Sequence, residues 1–380
     1  MIDLDLVGAE VLWPDGLRPG EIALRGGVIG APGAGVRQVD LRGYWVLPGI
    51  VDMHGDGFER HLAPRRGAMK DLGQGLVSVD AELAANGITT AMLAQFWSWE
   101  GGMRGPDFAR RFLAALRDGP DMLTDCRVQL RFETHMVDDY SAFEETVAAH
   151  DVRYVVFNDH LPHAALDKGK RPPRLTGQAL KGGRSPEAHL ALMQGLHERG
   201  AEVGPAVEAL AKRLAARGVL LGSHDDDTAE LRQTWQGRGV GVSEFPETEI
   251  AARAAREGGG AIVLGAPNVV RGGSHSGNVS AAALVQAGLC DALASDYHYP
   301  ALRQAVLRLV AEGGVTLEEG WALISARPAA LLGLRDRGQL EEGRRADLVV
   351  MEPGTGRICA TLTDGKVSFM AGEVAARFVA

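Results

Sequence analysis

Most of the eleven histidines stand just behind short apolar runs that read as strands. His54 follows the run at 45–53, His135 the run at 127–133, His160 the run at 153–158, His224 the run at 218–223 and His298 the run at 291–295. His275 lies a few residues beyond the run at 261–266. A single histidine is usually a surface or satisfied core residue. A set timed to strand ends is read here as an assembled site. Carboxylates share the pattern. His54-Gly55-Asp56 sets an imidazole and a carboxylate two residues apart, a spacing that on extended chain points both the same way. Glu133 closes the apolar run RVQLRFE, where a carboxylate is costly unless paired or metal-bound, and its two oxygens can bridge two cations. Asp159-His160 and Ser223-His224-Asp225-Asp226-Asp227 repeat the motif, and Asp296 closes ALASD. There Asp296 can bind metal and accept a proton from water, with Asp225 or Asp226 as alternative acceptors. Histidine and carboxylate donors without cysteine suit Zn²⁺, with Mn²⁺ or Fe²⁺ as alternatives, in an open catalytic site rather than a closed structural one.

Two stretches carry donors for anions. Lys168, Lys170, Arg171, Arg174, Lys181 and Arg184 have no acid among them, a local reversal in a chain of net charge −9. They read as a polyphosphate clamp or as a solvated loop. Arg271-Gly272-Gly273-Ser274-His275-Ser276-Gly277-Asn278 pairs glycines, which let backbone N–H groups approach phosphate oxygens, with Arg, Ser, His and Asn donors. The candidate substrate contacts are Arg65, Lys168, Lys170, Arg171, Arg271, Ser274, His275 and Asn278. Trp97 and Trp99 read as packing at the rim.

These residues need a scaffold that brings strand ends together. Between 46 and 334, eight strand candidates (45–53, 88–96, 127–133, 153–158, 218–223, 239–245, 261–266, 291–295) alternate with helical patterns such as PDFARRFLAALRD and TEIAARAAREGG. That order predicts an α/β fold, a (β/α)8 TIM-like barrel, whose C-terminal strand ends meet at one mouth. No glycine-rich phosphate loop follows the first strand, which disfavours a doubly wound sheet. Residues 1–45 and 335–380 alternate apolar residues with Gly, Pro and Asp and predict a small β-sandwich formed by both termini. Hairpin turns are expected at Asp364-Gly365 and near Gly372. The stretch 161–186 reads as irregular and as a lid or binding loop.

Composition narrows the setting. With 46% hydrophobic and 23% charged residues over 380, the chain is ordinary globular protein. Three widely spaced cysteines exclude a disulfide framework and fit a reducing cytoplasm. The acidic start lacks the charge pattern of a signal peptide, and no apolar run is long enough to span a membrane. The acidic balance disfavours nucleic acid as a partner.

The chain resembles the amidohydrolase superfamily in LPGIVDMHGD, in the later strand-end His, His and Asp, and in RRADLVVMEP. It resembles more closely the family of α-D-ribose 1-methylphosphonate 5-triphosphate diphosphatases of the carbon–phosphorus lyase pathway. ANGITT, GSHDDDT, SEFPET, GAPNVVRGGSHSGNVS and ASDYHYP carry that likeness through nearly the whole barrel. The resemblance implies a divalent binuclear centre, with His54 and Asp56 on one metal, Asp296 nearby, Glu133 bridging, and His160 and His224 on the other. The superfamily scheme sets the bridge on strand four and the histidines on five and six, whereas the strand count here puts Glu133 on three and His160 at four. The resemblance further implies a cytoplasmic, homo-oligomeric enzyme acting on a small phosphorylated sugar and releasing pyrophosphate. The alternatives are an amidohydrolase acting at carbon (a deaminase, cyclic-imide hydrolase or N-acyl hydrolase) and a non-enzymatic metal-binding scaffold.

Overall fold

The computed structural model describes residues 2–33, 35–65, 71–273 and 278–380. Eight parallel strands form one sheet: Ile50–Gly55, Ile88–Trp97, Asp125–Glu133, Tyr154–Asn158, Leu220–His224, Val242–Glu244, Ala261–Gly265 and Ala292–Ala294, here called strands one to eight, each beside the next in chain order. A bridge between Gly55 and Asp296 joins the first strand's end to the residue two beyond the last. The fold is therefore the expected (β/α)8 barrel. Strands one and two are buried along their whole length, as parallel strands covered on both faces must be. That is why they read as apolar runs. Each Val or Leu so buried stabilises the fold by ~1.5–3 kcal/mol. Among the described residues no strand lies between Trp97 and Asp125, so Glu133 ends strand three and His160 follows strand four, as the sequence count has it.

The termini build a second, mixed sheet of eight strands. Its order runs Lys366–Met370, Arg357–Thr363, Leu348–Glu352, Trp45–Pro48, Leu4–Trp13, Gly16–Arg25, Val28–Gly30, with Gln38–Asp40 beside Leu4–Trp13. Leu4, Leu6, Ile22, Leu24, Val46, Leu348, Val350 and Leu362 share its core. Asp364 and Gly365, with φ of 54° and 65°, make the expected two-residue turn between Thr363 and Lys366. The expected turn near Gly372 is instead the start of helix Gly372–Val379, whose Val374 and Phe378 cover the same core.

The run 45–53 is two strands. Trp45–Pro48 pairs with the terminal sheet, and the barrel strand begins at Ile50. Gly49 is the joint: a Cβ there would lie 2.3 Å from Thr89 Oγ1, so only glycine lets the chain pass. The stretch 161–186 is not irregular. It holds helices His163–Leu166 and Leu175–Lys181, and Leu161, Leu166 and Leu175 pack with Trp99 and Met193 in a satellite core.

The chain divides into two compact units. One comprises 1–93, 120–127 and 263–380, the other 94–119 and 128–262. No helix of the described residues is long and apolar enough to cross a membrane.

Candidate active site

In the first unit, His54 is wholly buried on strand one, and Asp56 and Asp296 are half-buried just beyond strands one and eight. Their main chains lock together: Asp56 N–H donates to Asp296 O at 2.8 Å, and Asp296 N–H to His54 O at 2.9 Å. Asp296 adopts φ 55°, the left-handed region, a strained conformation that recurs at functional positions. Beneath them lies a residue the sequence reading missed. Asp52, fully buried, accepts from Ser295 Oγ at 2.5 Å, Ser295 N at 3.1 Å and His54 N at 3.3 Å. Burial pushes its carboxyl above the usual range against the pull of those bonds. Gly55 is required between His54 and Asp56. A Cβ there would stand 2.7 Å from Asp52 Oδ2, 2.8 Å from Tyr299 Cε1 and 2.9 Å from Ser295 Oγ.

In the second unit, side chains do the joining. Glu133 is buried at the end of strand three and pairs through Oε1 with His160 Nδ1, while His160 N–H donates to Oε2 at 3.1 Å. His224 Nδ1 lies 2.9 Å from Asp225 Oδ2, and Arg131 donates to His224 Nε2 at 3.0 Å. Arg131 also lies over Phe96, 3.9 Å from its ring centre. One donor atom each from His160, His224 and Asp225 lies within 4.8 Å of the others. Burial opposes the charge on each group and is outweighed. Glu133 falls below the usual carboxylate range because His160 faces it, and His160 rises because Glu133 does. Asp225 falls to about 2 under the pull of His224, His160 and Arg131. Asp225, like Asp296, has positive φ, here 59°. Two imidazoles and carboxylates in this proximity are a donor set that suits a borderline divalent cation.

Arg131, Gln129 and Glu133 are alternate residues of one strand, and that period was the available signal for Arg131. Gln129 and Tyr154 both donate to the buried Glu244, at 2.7 and 2.6 Å, forming a further polar layer that sequence reasoning did not find. Asp226 is not poised to accept a proton from substrate water. It is fully buried and bound by Arg232 and by the hydroxyls of Ser223 and Ser243.

The anion candidates are less built. Lys168 and Lys170 are exposed, and Arg171 pairs with Glu187 at 3.0 Å. Arg184 leaves the clamp altogether, donating to the carbonyls of Trp99 and Glu100 at 2.9 and 3.1 Å. Arg65 is exposed. Arg271 ends helix Ala266–Arg271 and donates to the Tyr297 hydroxyl. Asn278 is half-buried, while Ser274 and His275 lie outside the described residues. Trp97 and Trp99 are buried packing residues, and Trp97 Nε1 donates to Asp139 at 2.8 Å.

The sequence profile of the amidohydrolase family matches residues 79–364. The chain is 34% identical over 328 residues to the α-D-ribose 1-methylphosphonate 5-triphosphate diphosphatase of Escherichia coli strain K12, covering 82% of this chain and 84% of that protein. Among solved structures it is similar to N-acyl-D-glutamate deacylase from Bordetella bronchiseptica, complexed with zinc and a phosphonate inhibitor, at 17% identity and TM-score 0.62 over 97% of this chain and 96% of that one. It is likewise similar to N-acetylglucosamine-6-phosphate deacetylase from Pasteurella multocida, at 11% identity and TM-score 0.63 over 96% and 98%. At these identities the two structures speak for the fold alone.

Proposed function

Because the chain belongs to the amidohydrolase family, we propose that it is a metal-dependent phosphoric-anhydride hydrolase that converts α-D-ribose 1-methylphosphonate 5-triphosphate to the 5-phosphate and pyrophosphate. The observation that carries this reading is the 34% identity, over 82% of the chain, to a protein named for that reaction. In the reading, His54, Asp56, Glu133, His160, His224 and Asp296 would hold divalent metal, Zn²⁺ first, with Asp225 as an added donor. The donors of His160, His224 and Asp225, within 4.8 Å of one another, support it. When bound, such ions supply Lewis acidity and make a water molecule acidic enough to react near neutral pH.

The chain's own residues do the rest. Asp296 accepts the proton of the attacking water. Asp296 is a half-buried residue pinned by main-chain hydrogen bonds, whereas Asp226 is fully buried. Water's oxygen bonds to phosphorus, the anhydride between the first and second phosphoryl groups breaks, and pyrophosphate carries away the bridging oxygen. Arg131, its guanidinium over Phe96 and beside His224, would add positive charge next to Asp225 at that end of the site. Arg271, with Asn278, Ser274 and His275, would bind the polyphosphate, and Arg65, Lys168, Lys170 and Arg171 would add looser contacts.

The test is product identity with purified protein and the triphosphate. Stoichiometric pyrophosphate is the expected result. Release of ammonia or a free carboxylate from amide substrates, with no pyrophosphate, would move the protein to carbon-centred chemistry.

A further inference from the structure

A second histidine–carboxylate cluster, sharing no residue with the set above, lies in the second unit. His135 stands beyond strand three, Asp159 beyond strand four, His163 on helix His163–Leu166 and His197 on helix Pro186–Glu198. One donor atom each of His135, Asp159 and His163 lies within 4.8 Å of the other two. His135 Nδ1 is 3.4 Å from Asp159 Oδ1, and His163 Nε2 is 3.0 and 2.9 Å from the two Asp159 oxygens. Four ligands held ~2.0–2.1 Å from a tetrahedral ion stand about 3.3 Å apart, close to these separations.

The hydrogen-bond chain behind His163 decides what faces Asp159. His197 Nε2 lies 2.9 Å from Asp167 Oδ1, and a carboxylate can only accept, so His197 carries its proton on Nε2. With His197 neutral, its Nδ1 is an acceptor, 2.7 Å from His163 Nδ1, which then donates. A neutral His163 consequently turns the lone pair of Nε2 toward a carboxylate. His135 Nδ1, on a residue only 7% exposed, has no hydrogen-bond partner and faces the same carboxylate. A divalent cation between them would satisfy the lone pair, the buried unpartnered nitrogen and the anion at once. The outer chain His163–His197–Asp167 is the arrangement that fixes the tautomer of metal-bound imidazoles.

We infer that His135, Asp159 and His163 form a second cation site, for a borderline divalent ion of the zinc type. His197 and Asp167 act there as positioning residues. Two imidazoles and one carboxylate leave a fourth position for water. Such an ion would clip the helical insert, through His163, to the ends of strands three and four. The site does not depend on the proposed chemistry.

Metal counting on the full-length protein tests the site, after equilibration with zinc sulfate and dialysis. His163→Gln, at a half-exposed position that keeps a hydrogen-bonding side chain, is expected to retain one zinc equivalent fewer than the parent. The same one-equivalent deficit is expected in a His224→Asn background, since the two sets share no ligand. Zinc should raise Tm less in His163→Gln than in the parent. Equal zinc content in parent and His163→Gln would overturn the inference, as would a deficit that vanishes in the His224→Asn background. A ¹⁵N imidazole spectrum gives an independent reading. With zinc, His163 is expected to show one protonated and one metal-bound nitrogen. Two protonated nitrogens, with and without zinc, would make His163 an imidazolium paired with Asp159 and end the proposal.

Discussion

The ends of strands one and eight are held mostly by backbone, those of strands three, four and five by side chains. His54, Asp56 and Asp296 are linked by two main-chain hydrogen bonds, with Asp52 as a side-chain clasp below. Glu133, His160, His224, Asp225 and Arg131 place one another through charge. Residues placed by backbone can lose a charge and stay where they are. Residues placed by charge cannot.

The sharpest break concerns Asp296. Asp296→Asn is expected to leave Tm near the parent's, because the backbone bonds survive. It should lower kcat at least ~10²-fold, the scale of a lost general base. Turnover near the parent's would shift proton acceptance to Asp225. Glu133→Gln is the counterpart in the charge-held region. Removing the buried partner of His160 should cost about 3 kcal/mol in denaturant unfolding, with lowered metal content. Unchanged stability would mean that the ion pair does no positioning.

Protons sharpen the comparison further. Glu133 raises the His160 pKa above 6.5 despite burial, so a metal must displace a proton held more tightly than usual. Affinity should therefore fall as pH drops through that raised value, by about tenfold per pH unit for one displaced proton. In metal-free protein the sign reverses: the pair's stabilisation is complete below the unfolded pKa of histidine and is lost as pH rises through the raised folded value. Metal titrations giving one affinity from pH 6 to 8 would contradict this. The smallest effect belongs to the exposed bases. Replacing Lys168, Lys170 and Arg171 together should raise KM for the triphosphate a few-fold, a change that added salt mimics because these charges are screened over ~8–10 Å. Equal KM in parent and triple variant would reduce the stretch to a solvated surface.

All eight barrel strands were legible, most as near-continuous apolar runs and strand three as Val128, Leu130 and Phe132 alternating with polar residues. Strand ends were legible too, since a histidine or carboxylate closing such a run is conspicuous. The inner polar layer was not. Asp52, Arg131 and Glu244 sit inside or at the end of apolar segments, and only their cross-strand partners explain them. The break at Gly49 depends on Thr89, forty residues away, which no local pattern reports. The helices within 161–186 are short and held by Trp99 and Met193, so their apolar residues fell below any recognisable period.

The clasp between Asp52 and Ser295 joins residues 243 apart in the chain, and strand Trp45–Pro48 pairs with Leu348–Glu352 from the far end. Neither contact can form until the ribosome has passed Ser295 and Leu348, respectively. At about 5–20 residues per second, the early strands wait some tens of seconds for their partners. During that interval Trp45–Pro48 presents one unpaired edge, and closing so long a loop is slow. Asp52→Asn should therefore weaken the last step of folding more than the first. Its yield in cells should fall with rising growth temperature before its activity per folded molecule does.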